Sequence, residues 1–189
     1  GHSSQPVKEN AIYQLAQALV KIGAYDFPVH LNDVTRTYFE RSAAITPGKM
    51  GEAMKALAAN PNDAAAIATL SSDKAYNSQL RTSCVATMLE GGHAPNALPQ
   101  RARANVNCRI LPNDPPAEIQ KTLERIIGDP KVAITVTQAP KPSGPSPLTR
   151  ELMGEIEGVT KEMWPGVPVI PTMSTGATDG VYLRNAGIP

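Results

Sequence analysis

The side chains best suited to hold a metal or move a proton are few and scattered. The three histidines, His2, His30 and His93, share no His-x-x-x-His or comparable spacing, and no carboxylates gather at ligand spacing. A catalytic zinc needs about three protein ligands and one open position, so no metal site is expected within this chain. A serine nucleophile would want a Gly-x-Ser-x-Gly elbow, and the sequence has none. What remains is the chemistry of recognition. Arg101, Arg103 and Arg109 recur at odd positions of one segment, and a planar guanidinium is suited to gripping a carboxylate through two hydrogen bonds. Three polar segments, Gly1–Pro6, Asn96–Pro99 and Ser174–Gly180, combine histidine, asparagine, threonine and glycine at places that read as loops.

The chain that must position these groups has 189 residues, room for one ordinary domain or for one and part of another. Hydrophobic residues make up 41% but aromatics only 4%, so the core must rest on Ala, Val, Ile, Leu and Met. With a net charge of +1, two Phe and one Trp, the chain has neither a basic face nor stacking platforms, which argues against nucleic acid as a partner. No apolar run reaches membrane-spanning length. Two cysteines, Cys84 and Cys108, do not make a disulfide scaffold.

Residues 10–23 predict a helix, with Ile12, Leu15, Ala16, Leu19 and Val20 on its buried face. Asn10 is the expected cap and Gly23 the expected left-handed stop. Residues 24–82 differ in character: helices are expected around Leu31–Ala44, Lys49–Ala59 and Asp63–Ser71, broken by Thr46-Pro47-Gly48 and Asn60-Pro61, as a helical insertion. A strand from Cys84 to Leu89 leads through a turn to a second from Arg101 to Ile110. There Ala102, Ala104, Val106, Cys108 and Ile110 alternate with polar residues, one face core and one face wet. A hairpin centred near Asn96 places Cys84 opposite Cys108, as a reduced apolar pair or a cross-strand disulfide, and the reduced pair is the preferred reading. A helix follows from about Pro115 to Ile127, capped by Asp114 and striped by Ile119, Leu123, Ile126 and Ile127. Val132–Thr137 then reads as another strand.

The order helix, insertion, strand, strand, helix, strand becomes the split β-α-β-β-α-β unit of ferredoxin-like folds if one strand is set in front. The expected class is therefore α+β, with that first strand missing. The stretch Ala139–Pro147 holds four prolines and a glycine and marks a boundary. Residues 1–143 are the first domain, with the insertion at about 24–82, and 144–189 the beginning of an α/β second. The latter comprises an amphipathic helix Leu148–Met163, a strand Val167–Met173, a turn, and a short helix Val181–Asn185 that Asp179 is expected to cap.

Gly1-His2-Ser3-Ser4-Gln5-Pro6 followed by Asn10-Ala11-Ile12 resembles the entry to the lid domain in the aminoacylase, carboxypeptidase and desuccinylase family of zinc peptidases. Asn96-Ala97-Leu98-Pro99 is similar to that family's Asn-Val-Ile-Pro turn, and Arg109-Ile110-Leu111-Pro112 to its Arg-Leu-x-Pro strand end. Ser174-Thr175-Gly176-Ala177-Thr178-Asp179-Gly180 and Gly187-Ile188-Pro189 resemble the signatures of the returning catalytic domain. The insertion further suggests the Gly-X carboxypeptidase and N-acyl-amino-acid hydrolase branch.

The resemblance implies a homodimer formed through the lid. It implies that His2 reaches into the partner subunit's active site to stabilise an oxyanion and that Arg109 binds the substrate's free carboxylate. Asn96, Gly176 and Thr178 would contact substrate, a peptide or an N-acyl amino acid. His30 is read as structural and His93 as a surface residue or a neighbour of the site. All of the family's metal ligands, for zinc, and its general base would lie outside these residues, so the chain is expected to be an inactive fragment of a hydrolase. The rival reading is a non-catalytic ferredoxin-like module that dimerises or senses a small acid with Arg101, Arg103 and Arg109.

Overall fold

The computed structural model describes residues 1–112 and 114–189. They form a mixed α+β structure of eight helices and two strands among the described residues, in two compact units. The first comprises Gly1–Phe27, Thr82–Ile110 and Asp114–Pro140, and the second chiefly Pro28–Arg81 and Lys141–Pro189.

In the first unit, helix α1 (Ala11–Gly23) starts where Asn10 accepts hydrogen bonds from the amides of Ile12 and Tyr13. Strands β1 (Ser83–Gly91) and β2 (Ala102–Arg109) pair antiparallel, with Cys84 opposite Cys108. The register slips between Ala86 and Met88, and within that slip the Thr87 hydroxyl accepts from the Asn105 amide at 2.7 Å. β2 alternates as its sequence requires, its apolar positions half-buried and its arginines and asparagines exposed. Helix α6 (Pro116–Ile127) buries Ile119, Leu123 and Ile127 against Ala18, Ile22 and Phe27. Gly128 closes it in the left-handed region at φ 63°, and the Lys21 ammonium donates to the carbonyl of Ile127. Gly91 matters for a different reason: a Cβ there would lie 3.0 Å from Ile12 Cγ1, so the bare backbone lets α1 lie against the end of the hairpin.

The second unit contains helices α2 (Asp33–Ala43), α3 (Gly48–Ala59), α4 (Ala64–Ser71) and α5 (Lys74–Leu80). Asn32 caps α2 through a capping box with Thr35, and Asp63 and Asp73 cap α4 and α5. Phe39, Met54, Leu57, Leu70 and Leu80 are sealed completely between them. Helices α7 (Arg150–Met163) and α8 (Gly180–Asn185) belong to the same unit, where Arg41 on α2 donates to Glu157 on α7 at 2.6 Å and to the carbonyl of Val169 at 2.7 Å.

Several local expectations are corrected. The two cysteines form a disulfide, not the reduced pair preferred from the sequence, because the pairing register sets them face to face. The face of α1 that is buried centres on Ala18 and Ile22, while Val20 is 71% exposed; the helix has apolar residues on two flanks and packs with only one. Gly23 is not a left-handed stop, since α1 closes through Ala24 in the right-handed region. Asp114 does not cap α6. Its carboxylate accepts from the hydroxyl of buried Thr82 at 2.7 Å, a partner 32 residues away, and Pro115 occupies the cap position. Asp179 stands at the start of α8 but its side chain makes no capping bond. Residues 132–137 and 167–173 form no strand and join no ladder among the described residues. A strand is defined by its partner, and the sheet among the described residues holds only β1 and β2. The apolar stripe of α7 is largely exposed, with Leu152, Ile156, Val159 and Met163 all open to solvent.

Candidate functional site

The polar segment at residues 1–5 is docked, and the turn that follows β1 docks it. His2 bridges Ala97 in antiparallel fashion. The Leu98 amide donates to the Gly1 carbonyl at 2.9 Å, and the Ser3 amide donates to the Asn96 carbonyl at 2.9 Å. Beyond it, the Gln5 amide donates to the His2 carbonyl at 3.0 Å and closes a turn. Backbone pairing on both sides of His2 thus fixes its side chain relative to the hairpin loop.

Two residues that the family resemblance singled out in separate motifs meet here. The Asn96 side-chain amide lies 3.2 Å from His2 Nε2, across 94 residues of chain. The other ring nitrogen is engaged locally: the Ser4 amide donates to Nδ1 at 3.1 Å, and the Ser4 hydroxyl lies 2.8 Å from the same atom. His2, Ser4 and Asn96 are all exposed, so the imidazole is held in place yet open to another molecule. Ser4 carried no weight in the sequence reading. The signal was available in its spacing, since a serine two residues past a histidine can fold back on it when the chain turns.

Arg109 ends β2 opposite Ser83, on the exposed face that alternation assigned to it. Arg103 on the same face is paired with Glu90 at 2.8 Å, whereas Arg109 makes no ion pair among the described residues. Gly176 and Thr178 lie in the second unit. The Gly176 amide donates to the Ser174 hydroxyl at 3.3 Å, and the Thr178 carbonyl accepts from the Val181 amide at 3.3 Å. A cleft of about 420 Å³ in that unit, lined by Thr37, Arg41, Leu148, Arg150, Met153 and Glu157 among others, contains neither of them. His93 is exposed in the hairpin loop, and the His30 amide donates to the carbonyl of Leu80 at 2.9 Å.

Among the described residues, no three His, Cys, Asp or Glu side chains come together as a metal site, and both cysteine sulfurs are spent on the disulfide. The groups present do not fit a resident metal ion. No described helix is long and apolar enough to cross a membrane.

Comparison with known proteins places the chain in a family. Residues 1–135 match the M20 family described as peptidase dimerisation domain. The chain is 27% identical over 189 residues to a protein of Dictyostelium discoideum named probable carboxypeptidase S-like 2, covering 98% of this chain and 35% of that one. It is 26% identical over 191 residues to the human N-fatty-acyl-amino acid synthase/hydrolase PM20D1, covering 98% and 37%, and 28% identical over 112 residues to its counterpart in Mus musculus, covering 58% and 22%. The chain thus spans about a third of the length of the first of these relatives. No solved structure matches it.

Proposed function

The chain belongs to the M20 family of peptidase dimerisation domains, and from that premise we propose that it serves a metal-assisted amide hydrolase as its dimerising and substrate-recognising part. The substrates are C-terminal residues of short peptides or N-acyl amino acids, in keeping with relatives named as a carboxypeptidase and as an N-fatty-acyl-amino acid hydrolase. Residues 1–143 act as the lid and residues 144–189 as part of the catalytic domain. The order α1, β1, β2, α6 supports a ferredoxin-like split unit, whose sheet pairs two such chains into a homodimer.

His2 then works in trans, donating a hydrogen bond to the oxyanion that forms when water adds to the scissile carbonyl. A fixed donor aimed at developing charge is worth roughly 10²–10³ in kcat. Arg109 grips the free carboxylate of the substrate, while Asn96, Gly176 and Thr178 complete its contacts. Zinc, bound by residues outside this chain, would supply the nucleophilic water. The residues of this chain bind substrate and stabilise charge, and the chain alone is expected to hydrolyse nothing.

The observation that carries this reading is the contact of His2 with Asn96 on a docked, solvent-open segment. It is tested in the full-length enzyme with an N-acyl amino acid substrate. His2→Ala is expected to lower kcat by roughly 10²–10³, and Arg109→Ala to raise KM and depress kcat/KM. An unchanged kcat in the first removes the oxyanion role, and unchanged KM and kcat/KM in the second remove the carboxylate clamp.

A further inference from the structure

Which ring nitrogen of His2 carries the proton decides what the side chain can do. A neutral imidazole has one donor and one acceptor, and the hydrogen bond made by one nitrogen fixes the role of the other. Nδ1 faces the backbone amide of Ser4 at 3.1 Å. A backbone N–H can only donate, so Nδ1 must accept. The Ser4 hydroxyl, 2.8 Å from the same nitrogen, can rotate its proton to reinforce that role. The chain cannot easily withdraw either donor, because the Gln5 amide bonded to the His2 carbonyl closes the turn that presents them.

We infer that Ser4 is a positioning residue that holds His2 as the Nε2–H tautomer, so that the outward-facing nitrogen is the donor. The Asn96 amide nitrogen stands 3.2 Å from Nε2; with Nε2 as donor, that amide is expected to turn over by a half-turn, its two ends being interchangeable, and present its oxygen instead. So turned, Asn96 would occupy in the resting protein the hydrogen bond that a developing oxyanion would take over. The catalytic consequence rests on the role proposed for His2; the tautomer itself does not.

The test separates the two. The nitrogen chemical shifts of His2 are recorded by NMR on this chain at alkaline pH, with His30→Gln and His93→Gln variants for assignment. The wild-type chain is expected to show Nε2–H. Ser4→Ala removes one of the two donors and should raise the Nδ1–H population roughly two- to tenfold, the weight of one hydrogen bond. Ser4→Thr keeps the hydroxyl and should restore the wild-type shifts, and Ser3→Ala should leave them unchanged. Unaltered shifts in Ser4→Ala overturn the inference. So does a change accompanied by lost exchange protection of the Ser3 amide, which would make Ser4 a residue of the turn alone. In the full-length enzyme, Ser4→Ala should lower kcat with KM unchanged. A shifted tautomer with unchanged kcat would leave Ser4 its positioning role and remove the oxyanion role of His2.

Discussion

The helical insertion and the hairpin unit achieve order by different means. The insertion closes on itself: Phe39, Met54, Leu57, Leu70 and Leu80 have no exposed surface, and three of its helices begin at side-chain caps. The hairpin unit has a looser core, in which Ile22, Phe27, Ile119 and Leu123 all keep some solvent contact. Its sheet has two strands, and β1 leaves Val85, Met88 and Leu89 more than half exposed. Two strands are marginal in water without further packing. This unit adds a covalent link between them and one helix pair against their inner face. The difference teaches where each kind of residue is affordable. The self-contained unit carries none of the exposed groups assigned to chemistry on the hairpin, while the unit held by a disulfide carries His2, Ser4, Asn96 and Arg109.

Three variants would break or sharpen this contrast, each read by native-state hydrogen exchange resolved between the two units. Phe39→Ala empties a fully buried site and should cost the insertion about 3–5 kcal/mol. Loss of protection confined to residues 33–80 supports a self-contained insertion, and equal loss in α1 and α6 would show one cooperative core. Replacing Cys84 and Cys108 by serine releases a link closed over 24 residues and should cost the hairpin unit about 3 kcal/mol. Protection unchanged between Ser83 and Arg109 would mean that helix packing alone orders the sheet. Asn10→Ala removes the cap of α1 and should cost about 1 kcal/mol, seen as faster exchange at Ile12 and Tyr13. A larger and wider effect would show that α1, not the disulfide, is the main support of the hairpin.

What could be read in the sequence was what repeats locally. The alternation of β2, the stripe of α6, the cap at Asn10 and the facing positions of the two cysteines, though not the bond between them, follow from local periods, cap chemistry and symmetry about a turn. Contacts that depend on a distant partner could not be read. Asp114 looks like a cap from its neighbours, yet Thr82 claims it. Residues 132–137 alternate like a strand, and Val132 and Ile134 do lean on the core, but alternation specifies a face and not a neighbour to pair with. Helix α5 was missed because seven residues carry too little periodicity, although Asp73 announces it. At the site, His2 and Asn96 were legible as residue types in resembling motifs, whereas their contact and the part played by Ser4 needed the chain to be folded.

The slip at Thr87 decides an arithmetic question. Cys84 and Gly91 are seven apart, an odd number, and in a regular strand they would point to opposite sides. Here both look inward, one to the disulfide and the other to Ile12. The extra residue corrects the parity. Were Thr87 drawn into the ladder instead, the odd spacing would turn the bare edge of Gly91 away from the helix that needs it. One residue standing outside the ladder thus keeps both ends of β1 turned to the same core, and the place of the slip matters as much as any side chain on the strand.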